Sequence, residues 1–265
     1  MRALLLAALL LTASAARAEN PVVRFATELG AFDVELCAEV SAVCPAAAAN
    51  SVTNFLGYVD RGDYVGSVVH RSTRLGTSGV VVIQGGGFRL EAPDAVRRVP
   101  TQPAIQNQFN QSNVRGTLAY ARLQGQTNSA TSQWFVNVVD NTGLDTVDGG
   151  FTVFGVVIGD GMEVVDDLSA LSRVNMNAEF LDPIFGPDPE LIASAFTETP
   201  VNQAFYEMIA PITDPEDFPP PVDFAQAMID VAVTRVPEPG AASAGLGAGL
   251  ALAALARRWR GLRRR

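Results

Sequence analysis

The chain has 265 residues, 48% of them apolar, which is enough for one large or two ordinary domains. All 19 basic residues are arginine; eight lie in the two end segments, so residues 19–256 hold 11 against all 28 acidic residues, a net charge of −17. So acidic a body excludes a surface built to hold DNA, RNA or anionic lipid, and it suits solubility outside the cell.

Met1-Arg2 leads into an apolar run from Ala3 to Leu11 and then into Ala16-Arg17-Ala18, small residues at alternate positions before Glu19. The apolar run is about half the roughly 20 residues that a membrane span needs, so residues 1–18 are expected to be a signal peptide removed by signal peptidase. From Val22 onward, Val23, Phe25 and Thr27 alternate with other residues, and after the Gly30 turn Phe32, Val34 and Leu36 do the same. Period two on both sides of a short polar turn predicts a hairpin. Cys37 and Cys44 are too few for a structural zinc site and too far apart for a Cys-x-x-C redox pair. In an exported protein they are expected to be joined, closing a short loop; two buried thiols are the alternative.

Pro45 opens a stretch in which Ala48, Val52, Phe55, Leu56 and Val59 recur at helical spacing until Gly62, which predicts an amphipathic helix. Strands are expected over residues 79–84, 116–121, 133–138 and 151–156. A second helix should start after Asp160, a candidate N-cap with Glu163 three residues on, and turn Met162, Val165, Leu168 and Leu171 inward. Residues 172–227 form an acidic insertion punctuated by Pro183, Pro187, Pro189, Pro200, Pro211, Pro215 and Pro219-Pro220-Pro221. They read as solvated loop with one short helix over residues 200–209. Alternating Ile229, Val231 and Val233 then supply a last strand over residues 229–236.

The C-terminal end reads Pro237-Glu238-Pro239, an uncharged segment over residues 240–256, and an arginine cluster over residues 257–265. The uncharged segment would form a helix of about 26 Å at 1.5 Å per residue, just enough to cross a thin hydrocarbon core, with the arginines on the cytoplasmic side. This order resembles the PEP-CTERM sorting tail of Gram-negative bacteria, and the resemblance implies an exosortase that recognises and cuts it. A permanent tail anchor is the alternative. Either way the membrane is met only through this segment, and the protein belongs in the periplasm, at the cell surface or in the extracellular matrix.

Familiar catalytic sets are missing. One histidine, His70, cannot build a His-rich metal site, and Gly85-Gly86-Gly87 lacks the Lys-Ser/Thr ending of a phosphate loop. Asp140, Asp145 and Asp148 lack EF-hand spacing, and no Gly-x-Ser-x-Gly elbow accompanies His70. Neither metal nor cofactor is expected.

What the chain does contain is RGTLAYARLQGQTNSATSQWFVNVVDNTGLD from Arg115 to Asp145, preceded by the pair His70-Arg71 and by VVIQGGGF from Val81 to Phe88. Together these segments resemble the cyclophilin-type peptidyl-prolyl isomerases, from about Val22 to Leu171 with the last strand added. The resemblance implies a mainly β fold, a closed antiparallel barrel of about eight strands capped by two α-helices. It also implies a cofactor-free prolyl cis-trans isomerase that acts on Xaa-Pro segments of client proteins and assists the folding of exported proteins. By that resemblance Arg71 is the catalytic arginine, Gln84 orients it and contacts substrate, and Phe135 is the floor of the proline pocket. Ala121 and Arg122 match the edge that pairs with the substrate peptide, and Leu144 and Phe151 match the pocket wall. Val81 and Val82 stand where family members carry an aromatic residue and a methionine, and Gly143 where an aromatic is frequent. A thinner pocket wall and weak turnover are therefore expected. The alternative reading is a non-catalytic peptide-binding or structural module of the cell surface or biofilm matrix that uses the same groove.

Overall fold

The computed structural model describes residues 19–73, 79–91, 95–175, 195–211 and 228–237. The expected hairpin is present as β1 (Val22–Thr27) and β2 (Gly30–Leu36), antiparallel from Val22↔Glu35 to Thr27↔Gly30. Its inward residues Val23, Phe25, Phe32, Val34 and Leu36 are all buried, and the rings of Phe25 and Phe32 stack with centroids 4.8 Å apart. Cys37 and Cys44 form a disulfide directly after it, with Cα atoms 5.3 Å apart.

Helix α1 (Ala49–Arg61) turns Val52, Phe55, Tyr58 and Val59 into the core. It ends because Gly62 adopts φ +73°, a left-handed conformation in which its N–H returns to the carbonyls of Tyr58 and Val59. The remaining strands are β3 (Ser67–Val68), β4 (Arg71–Ser72), β5 (Val82–Gly85), β6 (Phe88–Glu91), β7 (Ala95–Arg98), β8 (Thr117–Tyr120), β9 (Trp134–Asn137), β10 (Val153–Ile158) and β13 (Asp230–Arg235), with a separate pair β11 (Arg173–Val174) and β12 (Thr199–Pro200). The main sheet runs β4-β5-β9-β8-β10-β2-β1-β13-β3-β6-β7, and its pairings are antiparallel. β3 and β4 belong to one continuous run, residues 67–72, which meets β13 through Val68↔Asp230 and β5 through Arg71↔Gln84. The two arms of the curled sheet therefore come together on the segment that carries Arg71.

The main core fills the inside of this sheet and is closed by α1 and by α2 (Gly161–Ala170). Val165 and Leu168 are buried there, with Met162 and Leu171 partly so. The start of α2 differs from expectation: the Asp160 side chain makes no capping hydrogen bond, and its carbonyl instead accepts from the Glu163 N–H at 3.0 Å. Glycine is required on the floor between β5 and β6. A Cβ at Gly85 would lie 2.6 Å from the buried Trp134 ring, and Gly86 has φ +76°. The Gly-Gly-Gly run thus gives Trp134 its room.

The short helix expected over residues 200–209 is present, but the segment around it, residues 195–211, is packed on the sheet rather than solvated. Helix α3 (Gln203–Ile209), capped by the Asn202 side chain on the Phe205 N–H, buries Phe205 and Ile209. With Phe196 and Val201 they join Val68, Phe88 and Val96 in a second apolar cluster on the β3-β6-β7 arm. His70 packs against the rings of Phe88 and Phe196, at 5.0 and 5.8 Å, and burial pushes its pKa down from 6.5 to about 3.

The expected signal peptide (residues 1–18) and the tail beyond Pro237, including Glu238, Pro239 and residues 240–265, lie outside the described residues. Among the described residues no helix is long and apolar enough to cross a membrane.

Candidate active site

Strand pairing alone aligns the expected site residues. Arg71 on β4 stands opposite Gln84 on β5, Gln84 opposite Phe135 on β9, and Phe135 opposite Ala119 on β8. Residues directly opposite in an antiparallel sheet share a face, so arginine, glutamine and phenylalanine form one row across three strands. That row lines a groove of about 190 Å³. Arg71 and Gln84 form one side, Phe135 the floor, and Ala121, Arg122, Leu144 and Phe151 the far wall. Phe135 meets Phe151 edge-on, with centroids 5.6 Å apart and planes at 78°. With Val82, Ala119 and Val153 it forms an apolar patch separate from the main core.

One expected wall residue faces the other way. Val81 is buried in the main core, whereas Val80 and Val82 line the groove. The reason is strand alternation: with Gln84 facing the groove, positions 82 and 80 face it too, and 81 and 83 face inward. Val80 was thus available from period two counted back from Gln84. Val81 still matters through its backbone, because Asn141 accepts from its N–H and donates to its carbonyl, both at 3.0 Å. Asn141 also donates to Asn137 at 2.7 Å, which ties the loop ahead of Leu144 to the floor strand.

Gln84 is differently employed than expected. Its amide donates to the Gln133 side chain at 2.8 Å, and Arg71 pairs instead with Glu198, Nε to Oε2 at 3.3 Å. Arg122 contributes more than backbone: its guanidinium lies 4.3 Å from the Phe151 ring centre and donates to the carbonyls of Thr127, Asp148 and Gly150 at 3.0, 3.0 and 2.9 Å. It thereby holds the pocket wall and the loop of residues 142–150 together. Burial lowers its pKa from the ordinary arginine value. Glu198 had no signal in the sequence, being 127 positions from Arg71 in an acidic stretch. His70, beside Arg71 in the chain, faces the second apolar cluster, and with a pKa of about 3 it is neutral and takes no part in acid-base chemistry near pH 7.

The model of the family described as cyclophilin type peptidyl-prolyl cis-trans isomerase/CLD matches residues 22–184. The chain belongs to the cyclophilin-type peptidyl-prolyl cis-trans isomerases. Among bacterial relatives of this cyclophilin, the peptidyl-prolyl cis-trans isomerase of Acinetobacter baylyi is 36% identical over 169 residues, which are 63% of this chain and 80% of the relative. Peptidyl-prolyl cis-trans isomerase A of Dickeya dadantii is 38% identical over 130 residues, 48% of this chain; the cyclophilin spans 63% of that relative's length. A solved cyclophilin type peptidyl-prolyl cis-trans isomerase of Cryptosporidium parvum superposes with a TM-score of 0.48 at 17% identity, covering 83% of this chain and 99% of that one.

Proposed function

We propose that this cyclophilin catalyses the cis-trans isomerisation of Xaa-Pro bonds in client polypeptides bound in the groove between Arg71 and Phe135, and that its clients are exported proteins. The observation that carries the reading is the row Arg71-Gln84-Phe135: a fixed cation and an amide beside an apolar floor, with no acid or base needed. The barrier of about 18 to 20 kcal/mol to rotation about a peptide bond comes from amide resonance. A catalyst lowers it by favouring the twisted state, in which the prolyl nitrogen is pyramidal and accepts a hydrogen bond. An arginine suits that task because it donates without losing its proton. Phe135, Val80, Val82, Leu144 and Phe151 supply apolar surface for the pyrrolidine ring, and Gln84 and Arg122 supply polar edges for the peptide.

Export is proposed from the N-terminal apolar run and the Ala16-Arg17-Ala18 site, and processing by an exosortase from the Pro237-Glu238-Pro239 tail. The Cys37–Cys44 disulfide suits an oxidising compartment.

The chemical reading is tested with a protease-coupled or exchange assay on a Xaa-Pro peptide. Arg71→Ala should cut kcat/KM at least about tenfold, a loss of about 1.4 kcal/mol of transition-state stabilisation, while the melting temperature holds. An unchanged rate would reject the assignment.

A further inference from the structure

Residues 195–200 run along the strand that carries Arg71 and are fixed there on both sides of it. The Glu198 carbonyl accepts from the Ser72 N–H at 2.8 Å, and the Thr199 hydroxyl donates to the His70 carbonyl at 3.1 Å. Phe196 packs on Phe88 with ring centroids 4.8 Å apart, inside the second apolar cluster. From this anchored backbone the Glu198 side chain reaches Arg71, with Oε2 3.3 Å from Nε.

As an ion pair this contact does little for stability, since the two side chains are 42% and 32% exposed. Its consequence is directional. A carboxylate placed to block the site would take the two terminal guanidinium nitrogens in a fork. Glu198 touches Nε, at the root of the guanidinium, and does not take up the terminal N–H groups of this groove-lining arginine. The expected holder, Gln84, is committed to Gln133, so among the described residues Glu198 is the side chain that hydrogen-bonds Arg71.

Resting on the isomerase reading above, we propose that Glu198 is a positioning residue for the reaction. It holds Arg71 through Nε in the orientation that presents the terminal N–H groups to the prolyl nitrogen. Residues 195–200 thereby become a working part of the active site.

The test uses the purified full chain and a Xaa-Pro peptide, with kcat and KM measured separately for the wild type, Glu198→Ala, Glu198→Gln, Arg71→Ala and the double variant Arg71→Ala/Glu198→Ala. Glu198→Ala should lower kcat/KM about fivefold, through kcat rather than KM. Glu198→Gln, whose amide oxygen can still accept from Nε, should recover a substantial part of that loss. In the Arg71→Ala background the second change should cost nothing more, because the effect travels through Arg71. Both single variants at 198 should melt with the wild type, since the backbone bond to Ser72 and the Thr199 contact survive. Three results would overturn the proposal: Glu198→Ala at the wild-type rate, Glu198→Ala faster than wild type, or the same fold-loss with and without Arg71. A wild-type chain without isomerase activity would remove the reading of the groove and this inference together. An active wild type matched by Glu198→Ala removes the inference alone.

Discussion

Lowering the pH should destabilise this protein through its single histidine before its paired carboxylates respond. His70 is 1% exposed beside Phe88 and Phe196, and burial depresses its pKa from 6.5 to about 3. In the unfolded chain it binds a proton near 6.5, so between that value and about 3 the unfolded state holds more protons than the native one. The sign follows: the stabilisation is complete above pH 6.5 and is lost as the pH falls toward 3. At about 1.4 kcal/mol per pH unit, the loss at pH 4.5 is about 2–3 kcal/mol, a large share of an ordinary domain's margin. Hydrogen bonds to Arg235 and Arg115 hold the Asp60 and Asp166 carboxyls below their ordinary value of 3.8, so they contribute only further down. Glu28 works the other way, because burial beside Asp230 raises its pKa above 4.5 and the native state takes up its proton early. Denaturant midpoints for wild type and His70→Phe between pH 7 and 4.5 check this. The wild-type slope should be steep and that of the variant nearly flat. Equal slopes would refute the assignment of the transition to His70.

Three other outcomes are expected. Gly85→Ala should destabilise by about 1–3 kcal/mol in chemical unfolding, because the new methyl group would lie 2.6 Å from Trp134. Val80→Phe, which thickens the groove wall, should tighten binding of a proline peptide by about 1 kcal/mol in calorimetry, while Val81→Phe overpacks the core and lowers the melting temperature instead; the reverse pattern would show the alternation to be misread. Intact mass of protein from its native host should lack both residues 1–18 and residues 257–265, and recovery of the full C-terminus from a host with an active exosortase would reject the sorting reading while leaving the groove untouched.

The parts that could be read from the chain are those whose cause is local. Period two in Val23-Phe25-Thr27 and Phe32-Val34-Leu36 gives the hairpin, and the 3.6 spacing from Ala48 to Val59 gives α1, because each pattern reports one buried face. Arg71, Gln84 and Phe135 were reached by resemblance, and their alignment in one row follows from strand register, which no local window contains. The misplacement of Val81 had a local remedy, since counting back by two from Gln84 leads to Val82 and Val80. Glu198 had none. Its side chain is one acid among 28, and what distinguishes it is the docking of Phe196, Phe205 and Ile209 on Val68 and Phe88.

That docking links stability to the proposed chemistry. The run of residues 67–72 carries Val68 into the second cluster, His70 against its rings and Arg71 into the groove, so one short strand serves three environments. Burying Phe196 against Phe88 and His70 sets the height of Glu198 on this strand, and the Ser72 N–H bond sets its register. A seven-residue helix such as α3 would not persist alone in water; it is held by the cluster. The apolar residues of an otherwise acidic segment therefore do their work at a distance, by fixing the carboxylate that faces the arginine.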